Sequence, residues 1–213
     1  DPLGIHGVSN PLPFVAPGEP LLDDEETLAT KKGAVPGIEA AFMQAKAALA
    51  TAEQRYGVDR YTIIAVWGVE SDYGRAIGKR PLVASLATLS CSGTRQSYFR
   101  GELIATLQIL QNGDIRPEGL VGSWAGAFGH TQFMPSTFQR LAVDLDGDGR
   151  RDIVDSVPDA LGSTANFLRR AGWVSGAEWG YEVKLPAAYA GESGRRQKHP
   201  LATWTARGIT RLD

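Results

Sequence analysis

The sequence lacks several features that would assign it to a common functional class. Its 213 residues include one cysteine, which excludes an intrachain disulfide, and Cys91 lies in an apolar run that predicts a small buried side chain. The 22 basic and 24 acidic side chains form no basic stripe, which argues against a nucleic-acid partner. No apolar run approaches the roughly 18 residues of a membrane span. Internal repeats, phosphate-cradling glycine loops, paired-cysteine metal sites and Ser/His/Asp arrangements are absent as well.

The remaining pattern is helical and sufficient for one well-cored unit. Prolines and an acidic run predict an extended N-terminal segment over residues 1–35. Apolar spacing, caps and stops predict helices at 36–56, 59–70, 81–91, 95–112, 135–143 and 156–170, with a final helical turn at 199–207. A short strand is predicted at 182–185. The fold class is therefore mainly α, with a core at 36–175 and a small strand and loop region at 176–213.

Glu70 ends an apolar helical run, Ala65-Val66-Trp67-Gly68-Val69-Glu70, that begins behind Asp59 as a suitable N-cap. A carboxyl group at the end of such a segment is partly desolvated, which raises its pKa. A general acid that works near neutral pH needs such a raised pKa. The alternative is a helix-end glutamate that reaches water or pairs with Arg75.

An acidic loop over residues 144–159 has the ligand spacing of a calcium-binding EF-hand. Carboxylates at loop positions one, three and five repel one another unless a hard cation neutralises them; they belong to Asp144, Asp146 and Asp148. Arg150 would contribute its backbone carbonyl, and its side chain would point away. The closing ligand is Asp155 or Asp159, and the alternative is an Asp/Gly turn without a metal. A single loop of this kind favours a structural cation over a switch.

A segment between residues 122 and 136 concentrates glycines, aromatic rings and polar side chains. Gly126 and Gly129 allow the backbone to come close to a neighbour. Its polar residues that can hydrogen-bond a ligand are Ser123, Gln132 and Ser136. The rings that offer flat faces for sugars are Trp124, Phe128 and Phe133. His130 is interpreted as structural or as part of a rim, and the alternative for the whole segment is a tight packing corner.

These motifs occur together in one order that resembles the lytic murein transglycosylases of the B type. The residues that carry the resemblance are Glu70-Ser71, Gly122-Ser123-Trp124-Ala125-Gly126, Gln132-Phe133-Met134-Pro135 and the loop from Asp144 to Asp152. Further matches are Ala87-Thr88-Leu89, Glu102-Leu103, Gly172-Trp173 and Trp179-Gly180. The similarity runs from about Tyr56 to about Trp179. It implies a lysozyme-like helical core that carries an EF-hand loop.

The resemblance also implies roles for individual residues. Glu70 corresponds to the sole catalytic acid and base. The expected substrate-binding residues are Ser71, Ser123, Gln132, Asn166 and Phe167, the last standing where a tyrosine is common. The side-chain cation ligands by resemblance are Asp144, Asp146, Asp148 and Asp159, with Asp155 still open. The family's catalytic domain ends with a tyrosine-containing segment that closes the cleft, and this chain stops at Asp213 before any such segment, as a fragment would.

The function implied by the resemblance is cleavage of the β-1,4 bond between N-acetylmuramic acid and N-acetylglucosamine in peptidoglycan, with formation of a 1,6-anhydro ring. The alternatives are a lysozyme-like hydrolase, a non-catalytic peptidoglycan-binding or scaffold module, and a calcium-sensing interaction protein. We expect structural Ca²⁺, with Na⁺ as an alternative ion, and no organic cofactor. The expected partners are peptidoglycan glycan strands and cell-wall synthesis proteins, and the protein is expected to be a monomer. The expected location is the periplasm, and membrane anchoring by a removed or absent N-terminal segment is left open.

Overall fold

The structure is a computed structural model, and it describes residues 38–177, 180–192, 194 and 198–212. The extended segment predicted for residues 1–35 lies outside these residues. The chain divides after Trp173 into two compact units, two residues before the boundary predicted from sequence. The described residues are mainly helical, as predicted.

The first unit contains six α-helices in its described residues. Their bounds are α1 Ile38–Tyr56, α2 Arg60–Ser71, α3 Leu82–Cys91, α4 Gln96–Asn112, α5 Pro135–Leu141 and α6 Val157–Arg170. A 3-10 turn covers Pro117–Gly119. Two short strands, β1 (Arg80–Pro81) and β2 (Val121–Gly122), pair antiparallel, with Arg80 opposite Gly122 and Pro81 opposite Val121. This ladder ties the chain that follows helix α2 to the start of the glycine-rich segment.

The helix boundaries follow from local chemistry. Asp59 caps α2, because its carboxylate accepts a hydrogen bond from the Thr62 N–H at 2.8 Å. Ser156 caps α6 in the same way by accepting from the Asp159 N–H at 3.2 Å. Gly113 ends α4 with a φ of +74°, a conformation that costs glycine little. The predicted helices are therefore confirmed to within a few residues at each end.

Helix α5 is two residues shorter than predicted. Ala142 already has an extended backbone with ψ of 142°, so the helix ends at Leu141. The N–H of Val143 donates instead to the Ser163 hydroxyl on α6 at 3.0 Å. A tertiary hydrogen bond has replaced the next turn of helix.

Helices α1, α2 and α6 enclose one part of the core. The fully buried side chains there are Leu49, Val58, Ile63, Ile64, Trp67 and Leu161. Trp67 is 1% exposed and lies three residues before Glu70. Burying a side chain of this size contributes more than the 1.5–3 kcal/mol or so typical of an aliphatic residue. The catalytic candidate is therefore attached to a firmly anchored helix.

Helices α3, α4 and α5 enclose the other part of the core together with the segment around residues 120–154. Its buried side chains include Leu82, Leu86, Ile109, Phe128, Phe138 and Ile153. The rings of Phe128 and Phe138 lie 5.6 Å apart in a tilted arrangement. The glycine-rich segment thus runs over this core rather than through solvent.

The second unit, described over part of residues 174–212, has strands β3 (Val183–Lys184) and β4 (Thr210–Arg211) paired antiparallel, and helix α7 (Leu201–Ala206). Glu192 accepts from Arg207 Nη1 at 2.9 Å and lies 2.7 Å from His199 Nε2. The predicted strand and the predicted final helical turn are both present. No helix in the described part of the chain is long and apolar enough to span a membrane.

The prediction for Cys91 is wrong. Its side chain is exposed, because α3 ends at this residue and the following loop, residues 92–95, is exposed as well. The apolar positions that face the core are earlier in the helix, at Leu82 and Leu86. An apolar run in sequence does not fix which helical face its last residue joins.

Because Cys91 is exposed and unpaired, it should react in the native state. We expect the folded protein to consume one equivalent of a disulfide reagent such as DTNB per chain without denaturant, since this is the only cysteine. Cys91→Ser should show no reaction. A wild-type thiol that reacts only after unfolding in guanidinium chloride would contradict the exposed position.

Candidate active site

Glu70 occupies the last turn of helix α2 and is half-buried. Burial raises the pKa of its carboxyl group, and no charged group among the described residues contributes to this shift. The alternative ion pair with Arg75 is absent, because Arg75 lies 3.5 Å from the carboxylate of Asp72. In the described part of the chain, the Glu70 carboxyl group makes no hydrogen bond. It is a solitary carboxyl group whose pKa is raised by burial alone.

Ser71 holds the end of helix α2 in place. Its side chain is 1% exposed, and its hydroxyl donates to the His130 carbonyl at 2.5 Å and accepts from the Gly74 N–H at 3.0 Å. The expectation that Ser71 contacts substrate is therefore corrected, because its hydroxyl is buried and occupied within the protein. Its role is to position the backbone on either side of Glu70.

His130 attaches to the same helix through its ring. The Trp67 indole N–H donates to His130 Nδ1 at 3.0 Å, and the two rings meet edge to face at 5.6 Å. Burial lowers the pKa of His130, which favours the neutral ring that can accept this bond; Asp155 and Asp152 oppose that shift. These contacts agree with the interpretation of His130 as structural or as part of a rim, which remains a prediction.

The chain between residues 74 and 81 lies directly on the glycine-rich segment. A Cβ atom at Gly78 would come within 2.3 Å of the Gly122 backbone, so the two main chains touch. The Gln132 side-chain amide donates to the carbonyls of Ile77 at 3.2 Å and Gly129 at 2.9 Å. Gln132 has φ of +51°, a left-handed conformation that costs a non-glycine residue about 1–3 kcal/mol. These contacts brace the loop that follows Glu70.

Ser123 shapes the turn that carries the exposed Trp124. Its hydroxyl accepts from the Ala127 N–H at 3.0 Å, and its own N–H donates to the Ala127 carbonyl at 2.8 Å. Trp124 is 70% exposed, which leaves its face free for a ligand. Phe128 and Phe133, by contrast, are buried in the core at 0% and 7% exposure. The expectation that their rings pack on sugars is wrong, and Trp124 alone of the three keeps that possibility.

Asn166 and Phe167 lie on helix α6. The Asn166 amide donates to the Leu141 carbonyl at 2.8 Å, which covers the end of helix α5. The Phe167 ring packs against Phe133 at 5.7 Å and belongs to the edge of the core. Both side chains are half-buried and are committed to packing between α5, α6 and the glycine-rich segment. Substrate contact by either one remains a prediction.

Glu102 has a structural role that the sequence did not predict, although Glu102-Leu103 is part of the family resemblance. Its side chain is 3% exposed, and its carboxylate accepts from the Ser136 N–H at 2.8 Å and the Ser136 hydroxyl at 2.7 Å. It therefore caps helix α5 from helix α4. The detectable sequence feature was a glutamate on the apolar face of a predicted helix, next to Ala105 and Thr106.

The acidic loop brings four carboxyl groups together. One oxygen from each lies within 4.8 Å of the others, and the residues are Asp144, Asp146, Asp148 and Asp159. Calcium binds oxygen at about 2.3–2.6 Å, so ligands on opposite sides of one ion are about 5 Å apart. The spacing therefore fits a hard divalent cation with oxygen ligands. A cavity of about 500 Å³ lies beside the loop, against helix α1.

Asp159 organises this loop from helix α6. Its side chain is fully buried, with Oδ1 accepting from the Leu145 N–H at 2.7 Å and Oδ2 from the Asp152 N–H at 2.7 Å. Burial raises the pKa of Asp159, and these backbone donors lower it. A Ser156 hydroxyl donates to Asp146 at 2.7 Å and attaches the loop to the same helix end.

Asp155 and Arg150 lie away from the cluster. The Asp155 carboxylate faces Arg116 at 3.7 Å, so the open choice of closing carboxylate falls to Asp159 in this geometry. The Arg150 guanidinium donates to Asp152 at 2.7 Å and to the Asp114 carbonyl at 3.1 Å. The Arg150 side chain thus points away from the four-carboxylate cluster, as expected, and a contribution from its backbone carbonyl remains a prediction.

Comparison with known proteins yields consistent matches. The family model described as "Transglycosylase SLT domain" matches residues 27–213. The membrane-bound lytic murein transglycosylase B of Escherichia coli K12 is 37% identical over 180 residues, which cover 78% of this chain and 50% of that protein. The chain therefore spans about half the length of this curated relative.

Solved structures give the same result. SltB3 from Pseudomonas aeruginosa, in complex with NAG-anhNAM-pentapeptide, has a TM-score of 0.73 and 43% identity over 81% of this chain and 46% of that one. The Escherichia coli lytic transglycosylase Slt35, in complex with calcium, has a TM-score of 0.74 and 34% identity over 91% and 59% of the two chains. The lysozyme-like helical fold expected from sequence is confirmed by these neighbours.

Glu70→Gln should stabilise the protein at neutral pH and lose that advantage in acid. Burial raises the folded pKa of Glu70 above its unfolded value near 4.3. The stability that the protonated side chain contributes is therefore fully present below about pH 4, and it is lost as the pH rises through the folded pKa. A neutral amide avoids this loss. Thermal unfolding at about pH 4 and pH 7.5 measures it, and each kcal/mol corresponds to about 2–4 °C in Tm.

The matched control for this comparison is the exposed Glu118. Glu118→Gln should change Tm little at either pH, because its side chain is in water in both states. A Glu70→Gln effect that is equal at both pH values would contradict a Glu70 pKa raised by burial.

Proposed function

Because this chain belongs to the family of transglycosylase SLT domains, we propose that it cleaves the β-1,4 bond between N-acetylmuramic acid and N-acetylglucosamine in peptidoglycan and forms a 1,6-anhydro product. The observation that carries the proposal is the solitary, half-buried carboxyl group of Glu70. An ordinary glycosidase needs a second carboxylate about 5–9 Å away to act as nucleophile or base. The nearest carboxylate in sequence, Asp72, lies beyond the helix end in a left-handed turn and faces Arg75.

The proposed reaction uses one carboxyl group twice. Protonated Glu70 donates its proton to the glycosidic oxygen as the bond to the muramoyl C1 breaks, and the muramoyl acetamido group stabilises the positive charge that develops. Glu70, now a carboxylate, then accepts the proton of the muramoyl C6 hydroxyl as that oxygen bonds to C1. The enzyme regains its starting protonation state and no water is consumed. Acid–base help of this kind contributes about 10²–10⁴-fold.

The surface near Glu70 supports binding of a glycan strand. The exposed Trp124 offers an indole face, and the neighbouring Ser123 and Gln132 are half-buried polar residues on the same segment. We propose Ser123 and Gln132 as residues that line the cleft, with Asn166 and Phe167 shaping it from helix α6. SltB3, a structural neighbour, is known in complex with a NAG-anhNAM-pentapeptide, which supports a glycan-peptide substrate for this chain.

The acidic loop is proposed to hold Ca²⁺ in a structural role, with Na⁺ as the alternative ion. The side-chain ligands would be Asp144, Asp146, Asp148 and Asp159, and the ion would neutralise their mutual repulsion. The calcium complex of Slt35 supports this assignment. The proposed location is the periplasm, where peptidoglycan lies, and association with cell-wall synthesis proteins is part of the same proposal.

Glu70→Gln should lower turnover of purified peptidoglycan by at least about 10²–10⁴-fold, because the amide can neither donate nor accept the transferred proton. Release of soluble muropeptides measures it. Asp72→Asn is the matched control and should keep activity within about threefold, because the Asp72 side chain faces Arg75 and asparagine tolerates the left-handed backbone. Near-normal activity in Glu70→Gln would remove Glu70 from the mechanism.

The mass of the muropeptide products separates the remaining alternatives. A lytic transglycosylase gives an anhydro product with no added water, whereas a hydrolase gives a product heavier by one water. A scaffold module gives no soluble product while still sedimenting with cell walls. Only the anhydro product agrees with the proposal.

Calcium should raise Tm, and Asp148→Asn should weaken its binding at least about tenfold by removing one ligand charge from an exposed position. Binding to the native state stabilises by about 2.7 kcal/mol at 100 times Kd. Isothermal titration of chelator-treated protein measures the affinity. Titration in sodium and in potassium salts of equal ionic strength tests Na⁺ as a competitor.

Asp155→Asn is the matched control for the calcium site. Its carboxylate faces Arg116 rather than the cluster, so this variant should keep wild-type affinity. A calcium affinity that falls in Asp155→Asn and not in Asp148→Asn would contradict the proposed ligand set.

A further inference from the structure

His130 is joined to the catalytic helix at two successive turns. Its carbonyl accepts from the Ser71 hydroxyl, and its ring accepts from the Trp67 indole N–H. Trp67 and Ser71 are four residues apart and therefore lie on one face of α2, which is the buried face. Glu70 lies between these two attachments in sequence and points from the neighbouring face.

The ring of His130 is also fixed from its other sides. A Cβ atom at Gly74 would come within 2.3 Å of the ring, so the left-handed turn after α2 closes directly over it. The backbone N–H of His130 donates to the Ile153 carbonyl at 2.9 Å, which attaches the main chain of His130 to the acidic loop. The charged groups that act on the ring are Asp155 and Asp152, both in the acidic loop.

We propose that His130 is a positioning residue that fixes the last turn of helix α2 and thereby holds the Glu70 carboxyl group in its reactive place. This inference rests on the proposed function. The Trp67 indole is 1% exposed, so without an acceptor its N–H would be buried and unpaired. The helix end would then relax toward water, and a displacement of about 1 Å at a reacting group costs about 10²-fold in rate.

His130→Leu and His130→Asn test the proposal as a pair. Leucine fills similar space and offers no acceptor, whereas asparagine can place its side-chain oxygen where Nδ1 lies. We expect kcat on peptidoglycan fragments to fall about 10–100-fold in His130→Leu, with KM within about threefold, and to stay within about threefold of wild type in His130→Asn. Equal kcat values for the two variants would overturn it.

Two further variants separate positioning from general destabilisation. Thr131→Val removes a buried hydroxyl that has no hydrogen-bond partner among the described residues, so kcat should stay within about twofold. In a Trp67→Phe background the donor is already absent, so His130→Leu should lower kcat little further. If the Trp67 and His130 changes lower kcat by independent factors that multiply in the double variant, the proposal is overturned, even if His130→Leu also lowers Tm.

A spectroscopic measurement distinguishes failure of this inference from failure of the proposed function. The Trp67 indole N–H resonance should move in His130→Leu and remain near its wild-type position in His130→Asn, whether or not the chain turns over substrate. The titration midpoint of the Glu70 carboxyl carbon should fall toward the ordinary glutamate value in His130→Leu alone. If wild type gives no muropeptide product, the proposed function fails; an unmoved Glu70 midpoint in His130→Leu would overturn the positioning role.

Discussion

A carboxyl group whose pKa is raised by burial has to be kept from water, and in this chain that constraint falls on the last turn of helix α2. Trp67 anchors that turn in the core, while Ser71 fixes its end against the His130 carbonyl. The left-handed turn after the helix then leads back along the glycine-rich segment, where Gln132 holds it. The half-buried position of Glu70 thus depends on helix α2, the turn after it and the glycine-rich segment together.

Two other acidic side chains show the opposite use of burial. Glu102 and Asp159 are nearly or fully buried, yet Glu102 accepts from the Ser136 N–H and hydroxyl, and Asp159 accepts from the N–H groups of Leu145 and Asp152. Their carboxylates organise helix α5 and the acidic loop, whereas Glu70 has no donor among the described residues. A buried carboxylate with donors therefore organises the fold, whereas Glu70, without donors, has a pKa raised by burial alone.

Much of this was accessible from the sequence because it depends on local rules. Asp59 as a cap, Gly113 as a stop and the spacing of the aspartates act within a few residues, so the helices and the acidic loop could be predicted. The errors concern which face a side chain joins. Phe133 and Ser71 were assigned to the cleft, yet both are buried, because only tertiary packing decides which side of a segment is covered. The Trp67–His130 hydrogen bond spans 63 residues, and no local pattern predicts it.

The hydrogen bonds around Asp159 also determine how much the acidic loop can change shape. Its carboxylate accepts hydrogen bonds from the N–H groups of Leu145 and Asp152. The entropic cost of ordering the loop is therefore part of folding. Little reorganisation then accompanies the arrival of an ion. The folded core therefore holds the loop at Leu145 and Asp152, and a cation bound there would meet carboxylates that are already in position.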